Sequence, residues 1–366
     1  MNILFKKTTV ILLTLFLTHI SAYSKELKKV TLQLSWFDQF QFAGYYLAKE
    51  KGFYKELGLD VTILPFEFGI DIPLEVSNGS IDFAIGRETL LLERAKNRKI
   101  VALYALFQST PLVLLSTKAS NINSINDFSN KNIMTTVNDA SEVSLKAMIR
   151  SHKVKLDDIN FQKHSHNIQD LIDKKTDVIS AYISKSPFEL QKKNIEYNIF
   201  DPKDFGFDMY SDFLFTSEAL IKKDRETIKH FKKASLKGWD YAYSNIEESV
   251  DIIKNNYNSQ DISKEALVYE AKELKKRSYF NTHDLGEIKM DKIQRIYDLY
   301  NVMGLIPQKI NIKDFYNPLN IKNTISFTQE ELEYINNKKY LRICVVPNAL
   351  PYSAIKNDKH IGFIAD

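Results

Sequence analysis

The stretch from Val30 to Ile63, VTLQLSWFDQFQFAGYYLAKEKGFYKELGLDVTI, narrows the possible folds more than any other. Val30–Leu34 alternates apolar and polar residues, the period-two mark of a strand. Ser35–Phe42 carries Trp36, Asp38 and Gln41, a mixture of aromatic and polar groups suited to a pocket wall. The spacing predicts a helix over Ala43–Lys51, ended by Gly52, which tolerates a left-handed C-terminal geometry. A short amphipathic turn, Phe53–Leu57, and the breaker Gly58 lead into a second strand from Leu59. A right-handed crossover sets two such strands parallel in one sheet. The loop Ser35–Phe42 then lies at the carboxyl end of the first strand, where open α/β sheets take their ligands.

The chain has 366 residues, enough for two lobes or two domains. Its formal net charge of +4 drops to +2 without Lys6 and Lys7, which gives no electrostatic reason to expect a nucleic-acid partner. Met1–Ser24 reads as a secretory signal: two lysines, an apolar run Thr8–Ile20 too short for a membrane span, and the small residues Ala22 and Ser24 at the cleavage site. The protein is therefore expected to be exported and periplasmic. Cys344 is the only cysteine, so neither an intrachain disulfide nor a multi-cysteine zinc site is available.

Further along, the strand Ser80–Ile85 runs at once into Gly86-Arg87, another place where a strand end can face a ligand. Arg87 reads two ways. In a cleft its planar fork can pair a carboxylate or phosphate; on the surface it merely precedes Glu88. After the strand Ile133–Val137, Asp139 or Ser141 can cap a helix Glu142–Arg150, whose first N–H groups suit polar or anionic ligand groups. Two histidines, His164 and His166, share one side of an extended segment, but no carboxylate or cysteine stands at ligand spacing beside them. They read as solvent-exposed loop residues, and no metal or other cofactor is expected. The stripe Phe231, Leu236, Trp239 and Tyr243 has helical spacing and belongs to a core.

SWFDQFQFAGYYLAKEKGFYKELGLDVTI resembles the opening of the periplasmic thiamine-pyrimidine-precursor binding proteins. These are ABC-transporter solute receptors that share their fold with thiamine pyrimidine synthases and alkanesulfonate receptors. The similarity runs from about Lys28 to about Tyr316, and includes DVISAYISKSPFEL, FGFDMYSDFLF and RIYDLYNVMGLI. It implies an α/β type II periplasmic binding fold: two lobes, a hinge and an interlobe cleft. Lobe one would comprise residues 28–115 and 211–316, and lobe two residues 116–210, within a domain of residues 25–320. The resemblance places Tyr182 and Ser184 in the pocket, and makes Tyr210, Asp212 and Phe213 cleft candidates. Together with the strand-end residues, the expected ligand-binding set is Trp36, Gln41, Tyr45, Arg87, Asp139, Tyr182 and Asp212.

Three functions follow from the resemblance. A receptor would capture a small planar solute, a thiamine pyrimidine precursor first and an alkanesulfonate second, and pass it to an ABC permease. A sensory input domain would transmit the same closure to a membrane-bound signalling portion of a longer chain. An enzyme making the thiamine pyrimidine would need a reactive histidine near position 41 and a cysteine cluster, and the sequence has neither. Residues 325–366, with LRICVVPNALPYSAIKNDKHIGFIAD, resemble the truncated start of a second, amino-acid-receptor-type binding domain. There a helix Phe327–Asn337, strands Tyr340–Val346 and His360–Ala365, and a loop Pro347–Tyr352 are expected.

Overall fold

The computed structural model describes residues 26–136, 142–280, 282 and 284–316, residues 334, 337 and 338, and the backbone of 348–349, 353–356 and 359–361. The expected secretory signal and Asp139 lie outside the described residues. The chain divides into two compact units, Met1–Leu319 and Asn320–Asp366. No helix among the described residues is long and apolar enough to cross a membrane.

The first unit holds two five-stranded mixed sheets. The first runs in the order β2 (Leu59–Leu64), β1 (Lys28–Gln33), β3 (Phe83–Gly86), β10 (Ser211–Ser217), β4 (Ile100–Phe107). β1 pairs in parallel with β2, Val30 opposite Val61, and with β3, Leu32 opposite Phe83. This is the expected crossover. The helix between β1 and β2 spans Ala43–Glu50 and gives way to Gly52 at φ 76°. Every residue of β4 is buried, which explains why it reads as an unbroken apolar run rather than an alternation.

The second sheet runs β7 (Asn160–Lys163), β6 (Asn132–Thr135), β8 (Val178–Tyr182), β5 (Leu112–Thr117), β9 (Tyr197–Phe200). β5 pairs antiparallel with both β8 and β9. Residues 112–115, assigned to lobe one on the sequence, therefore belong to the second sheet. β7 and β9 have no counterpart in the sequence reading: they are edge strands, NFQK and YNIF, in which only Phe200 is fully buried.

The first sheet is backed by the twenty-residue helix Arg225–Ser244, capped by Asp224, whose carboxylate accepts from Thr227 N at 3.0 Å. Phe231 on this helix stacks on Phe83 of β3 with ring centroids 3.9 Å apart. Trp239 is fully buried against Tyr45. The stripe read as core from its helical spacing thus packs there, with Leu236 half-buried at its margin.

The second unit contains the antiparallel strands β11 (Asn348–Ala349), β12 (Ser353–Lys356) and β13 (Lys359–Ile361). β11 falls within the segment expected as the loop Pro347–Tyr352, and the strand expected over Tyr340–Val346 lies outside the described residues.

Candidate binding cleft

Strand direction decides where a ligand can sit. In the first sheet β1 and β3 end at Gln33 and Gly86, and the antiparallel β10 begins at the same edge, with Phe213 opposite Gly86. β4 also finishes there, Phe107 opposite Ser211. In the second sheet β6, β7 and β8 end at Thr135, Lys163 and Tyr182, and β5 starts beside Tyr182 at Leu112. Only four residues separate Phe107 from Leu112, a reach of at most ~17 Å. The two carboxyl edges therefore face one another, each at a point where strand order reverses, the usual seat of a ligand in such sheets.

Side chains meet across this gap. Trp36, half-buried in the loop after β1, lies with its ring 6.2 Å from that of His166 in the second sheet's β7–α connection. On its own side it packs against Phe37, Phe66 and Phe68, the last 77% exposed. Phe188, in the helix Ser186–Lys192, reaches Tyr269, in the helix Lys264–Arg277, at 5.2 Å. Val143 packs into the cluster that includes Tyr210 and Phe213.

The loop that carries Trp36 also enters a buried polar group. Gln41 donates from Nε2 to Asp212 Oδ2 at 2.8 Å, and its Oε1 accepts from Gln39. Ser211 Oγ donates to Asp212 Oδ1. The backbone N–H groups of Phe40 and Gln41 donate to the two carboxylate oxygens of Glu270, at 3.0 and 3.1 Å. Asp212 is 2% exposed and Glu270 7%. Loss of water pushes the Asp212 carboxyl up to about 6, against the pull of Gln41, Ser211 and the positive Arg87. Burial pushes Glu270 up to about 7, with the Asp212 charge adding to it and the two N–H donors and Lys185 opposing.

On the facing edge, Glu142 Oε1 accepts from Thr136 N at 3.0 Å and from Ser180 Oγ at 2.8 Å. His164 Nδ1 accepts from His166 N at 2.8 Å, so its other nitrogen, Nε2, carries the proton that bonds Ser180 O at 2.6 Å. The two imidazoles stack at 4.6 Å. Partial loss of water on the inner side of the ring holds His166 below its ordinary pKa, and His164 and Lys185 add to that. His164 is thus half-buried and bonded rather than a plain loop residue, whereas His166 is exposed. Among the described residues no three His, Cys, Asp or Glu side chains gather to hold a metal ion.

Of the residues singled out on the sequence, Trp36, Gln41, Arg87 and Asp212 come together at the first edge and Tyr182 stands at the second. Arg87 and Tyr182 are each half-buried. Tyr45 does not line the gap. It is 1% exposed, its hydroxyl accepts from Tyr104 at 2.7 Å, and its ring meets Trp239 edge-on. An inward-facing helix position sends it into the core, where burial drives its pKa well up. Tyr210 and Phe213 are likewise buried, and Ser184 is buried at the second edge. Glu270, Gln39 and Lys185 join the site without a signal in the sequence that marks them. Glu270 sits on an ordinary amphipathic helix, and its partners are about 230 residues away, so no local pattern could have marked it.

Comparison with known proteins fits this geometry. A formylaminopyrimidine-binding protein of Halalkalibacterium halodurans is 24% identical over 281 residues, covering 74% of this chain and 83% of its own. The riboflavin-binding protein RibY of Chloroflexus aurantiacus is 25% identical over 236 residues, covering 62% and 66%. The periplasmic aliphatic sulphonate binding protein SsuA of Escherichia coli superposes with a TM-score of 0.63 at 15% identity, over 89% of this chain and 99% of that one. The desulfurization enzyme DSZB does so at 0.58 and 12%, over 81% and 99%. The architecture is that of the two-lobed periplasmic binding proteins, a fold that also carries an enzyme and so does not by itself fix a function. A family model described as "NMT1/THI5 like" matches residues 39–249.

Proposed function

The chain belongs to the NMT1/THI5-like family, and from that membership we propose that it is a solute-binding protein whose lobes close over a small planar nitrogen heterocycle, first among them a thiamine pyrimidine precursor. The carrying observation is Trp36, set opposite His166 in the same loop that carries the buried Gln41, bonded to Asp212. An aromatic wall gives flat contact area, and a few fixed polar groups set orientation. The two curated relatives are named for formylaminopyrimidine and riboflavin, which share a pyrimidine ring.

In this reading Trp36 stacks on the ring, Gln41 and Asp212 read its polar edge, and Arg87 and Tyr182 approach from the two lobes. Asp139, which follows β6 in the sequence, is a further expected ligand contact, and Tyr45 supports the floor. The domain spans residues 25–320, with lobes changing over between β4 and β5 and between β9 and β10. An exported receptor of this kind hands its solute to an ABC permease. A sensory input role in a longer membrane-bound protein is the second reading, favoured by the separate unit Asn320–Asp366. Against an enzyme making the pyrimidine, position 41 is a glutamine engaged with Asp212.

Calorimetric titration with formylaminopyrimidine, riboflavin and an alkanesulfonate tests the reading. Heat is expected from the pyrimidine, with Trp36→Ala weakening binding about tenfold, the scale of one aromatic contact. Heat from the sulfonate alone would reassign the ligand.

A further inference from the structure

We propose that Glu270 is the positioning residue of this cleft: a buried carboxylate, delivered from the helix Lys264–Arg277, that sets the loop bearing Trp36 in its ligand-facing geometry. The inference deepens the solute-binding reading and rests on it only for the meaning of that geometry.

Glu270 spends both oxygens on consecutive backbone donors, Phe40 N and Gln41 N. These residues open the short 3-10 turn Phe40–Phe42 that runs into the helix Ala43–Glu50. Neither start has a side-chain cap of its own, and the first donors of a helical segment need outside acceptors. Glu270 supplies them from a distant helix, at the positive end of the helix dipole, where a carboxylate is favoured. Asp212 holds the same loop by the Gln41 side chain, and Gln260 Nε2 donates to Asp38 O at 2.8 Å. Between Trp36 and Phe42 the chain is therefore pinned at Asp38, Phe40 and Gln41 by residues from three other places in the sequence.

The same spot is where the second lobe arrives. Tyr269, the neighbour of Glu270, meets Phe188, and the Lys185 ammonium, at the start of that helix, faces Glu270 and favours its ionised form. One carboxylate thus bonds the aromatic loop and stands next in sequence to a residue that meets the second lobe.

The test needs no solute. The protein has two tryptophans: Trp36, half-buried at the lobe contact, and Trp239, fully buried in the core. Acrylamide quenching, with Trp36→Phe subtracted, isolates Trp36 and keeps Trp239 as an internal control. Glu270→Gln keeps the shape but points an amide N–H₂ at a backbone N–H. It is expected to raise the Trp36 quenching constant at least twofold and leave Trp239 shielded, and Glu270→Asp is expected to restore part of the effect. Unchanged Trp36 quenching overturns the proposal. So does joint exposure of both tryptophans, which marks a general loss of structure. Titration of the same variants with formylaminopyrimidine is expected to show about tenfold weaker binding for Glu270→Gln. If quenching changes as expected while the wild-type protein binds no pyrimidine, the positioning role stands and the solute reading falls.

Discussion

Asp212 holds a left-handed backbone, φ 51°, within β10, a conformation that costs a non-glycine residue about 1–3 kcal/mol and gathers at functional sites. Asparagine tolerates the same backbone, so Asp212→Asn isolates the charge. A buried carboxyl raised to about 6 binds more protons folded than unfolded between pH ~4 and ~6. Its contribution to stability is complete below pH ~4 and lost as the pH rises through about 6. The variant escapes that loss, about 3 kcal/mol for two pKa units, but gives up one acceptor among the Ser211 and Gln41 donors, about 1 kcal/mol. Urea titrations are expected to show Asp212→Asn more stable by about 1–2 kcal/mol at pH 7.5, with the advantage gone at pH 4. Parallel curves across that range would mean that the carboxyl does not titrate in the fold. At this scale the sequence was uneven. Strand-end position and resemblance bring Trp36, Gln41 and Asp212 to one sheet edge, and the structure has Gln41 bonded to Asp212 there. Tyr45 could not be placed, because a helix of eight residues shows its side-chain types but not which of two tyrosines turns inward; in fact both are buried.

Among elements, the first crossover was readable because its strands are half-buried and its helix ends in a glycine. The strands β7 and β9 were not: at a sheet edge only one neighbour and little burial constrain the residue types, so no alternation is required. A packing feature equally invisible to periodicity joins the helices Ala43–Glu50 and Arg225–Ser244. A Cβ on Gly238 would stand 2.0 Å from the carbonyl oxygen of Gly44, and one on Gly44 would run into the Trp239 ring. Alanine is the better helix former by about 1 kcal/mol, so propensity alone predicts that Gly238→Ala stabilises. The contact is with backbone, which cannot swing aside, and the helices must separate. Overpacking of this kind costs about 1–3 kcal/mol. A thermal melt is expected to show a net loss for Gly238→Ala, and a raised midpoint would mean that the two helices are not in such close contact.

For the first unit as a whole, the question is what holds the two chain crossings between the sheets. The β4–β5 crossing is tied down by its backbone: Gln108 N and Ser109 N donate to Arg277 O at 2.8 and 3.2 Å, and Gln108 O accepts from Lys292 Nζ at 2.5 Å. The β9–β10 crossing is tied by charge, through Asp201 to Arg277 at 2.6 Å and Asp208 to Lys292. One arginine and one lysine therefore fasten both crossings to the same two helices of the first lobe, Lys264–Arg277 and Met290–Val302. Asp201 directly follows β9, so the Arg277 contact reaches to the very edge of the second sheet. The Arg277–Asp201 pair is almost wholly buried, 5% and 6% by side chain, so removing one partner strands a charge, a loss of about 3–5 kcal/mol. Lys203, 3.8 Å from Asp201 and partly exposed, softens that figure. Arg277→Met is expected to lower unfolding stability by several kcal/mol. Joining it with Asp201→Leu is expected to recover more than half, because the pair's charges then leave together. A double variant no better than the single would show that the pair is more than mutual neutralisation, and that the crossings depend on the guanidinium contact with Ser109 as well.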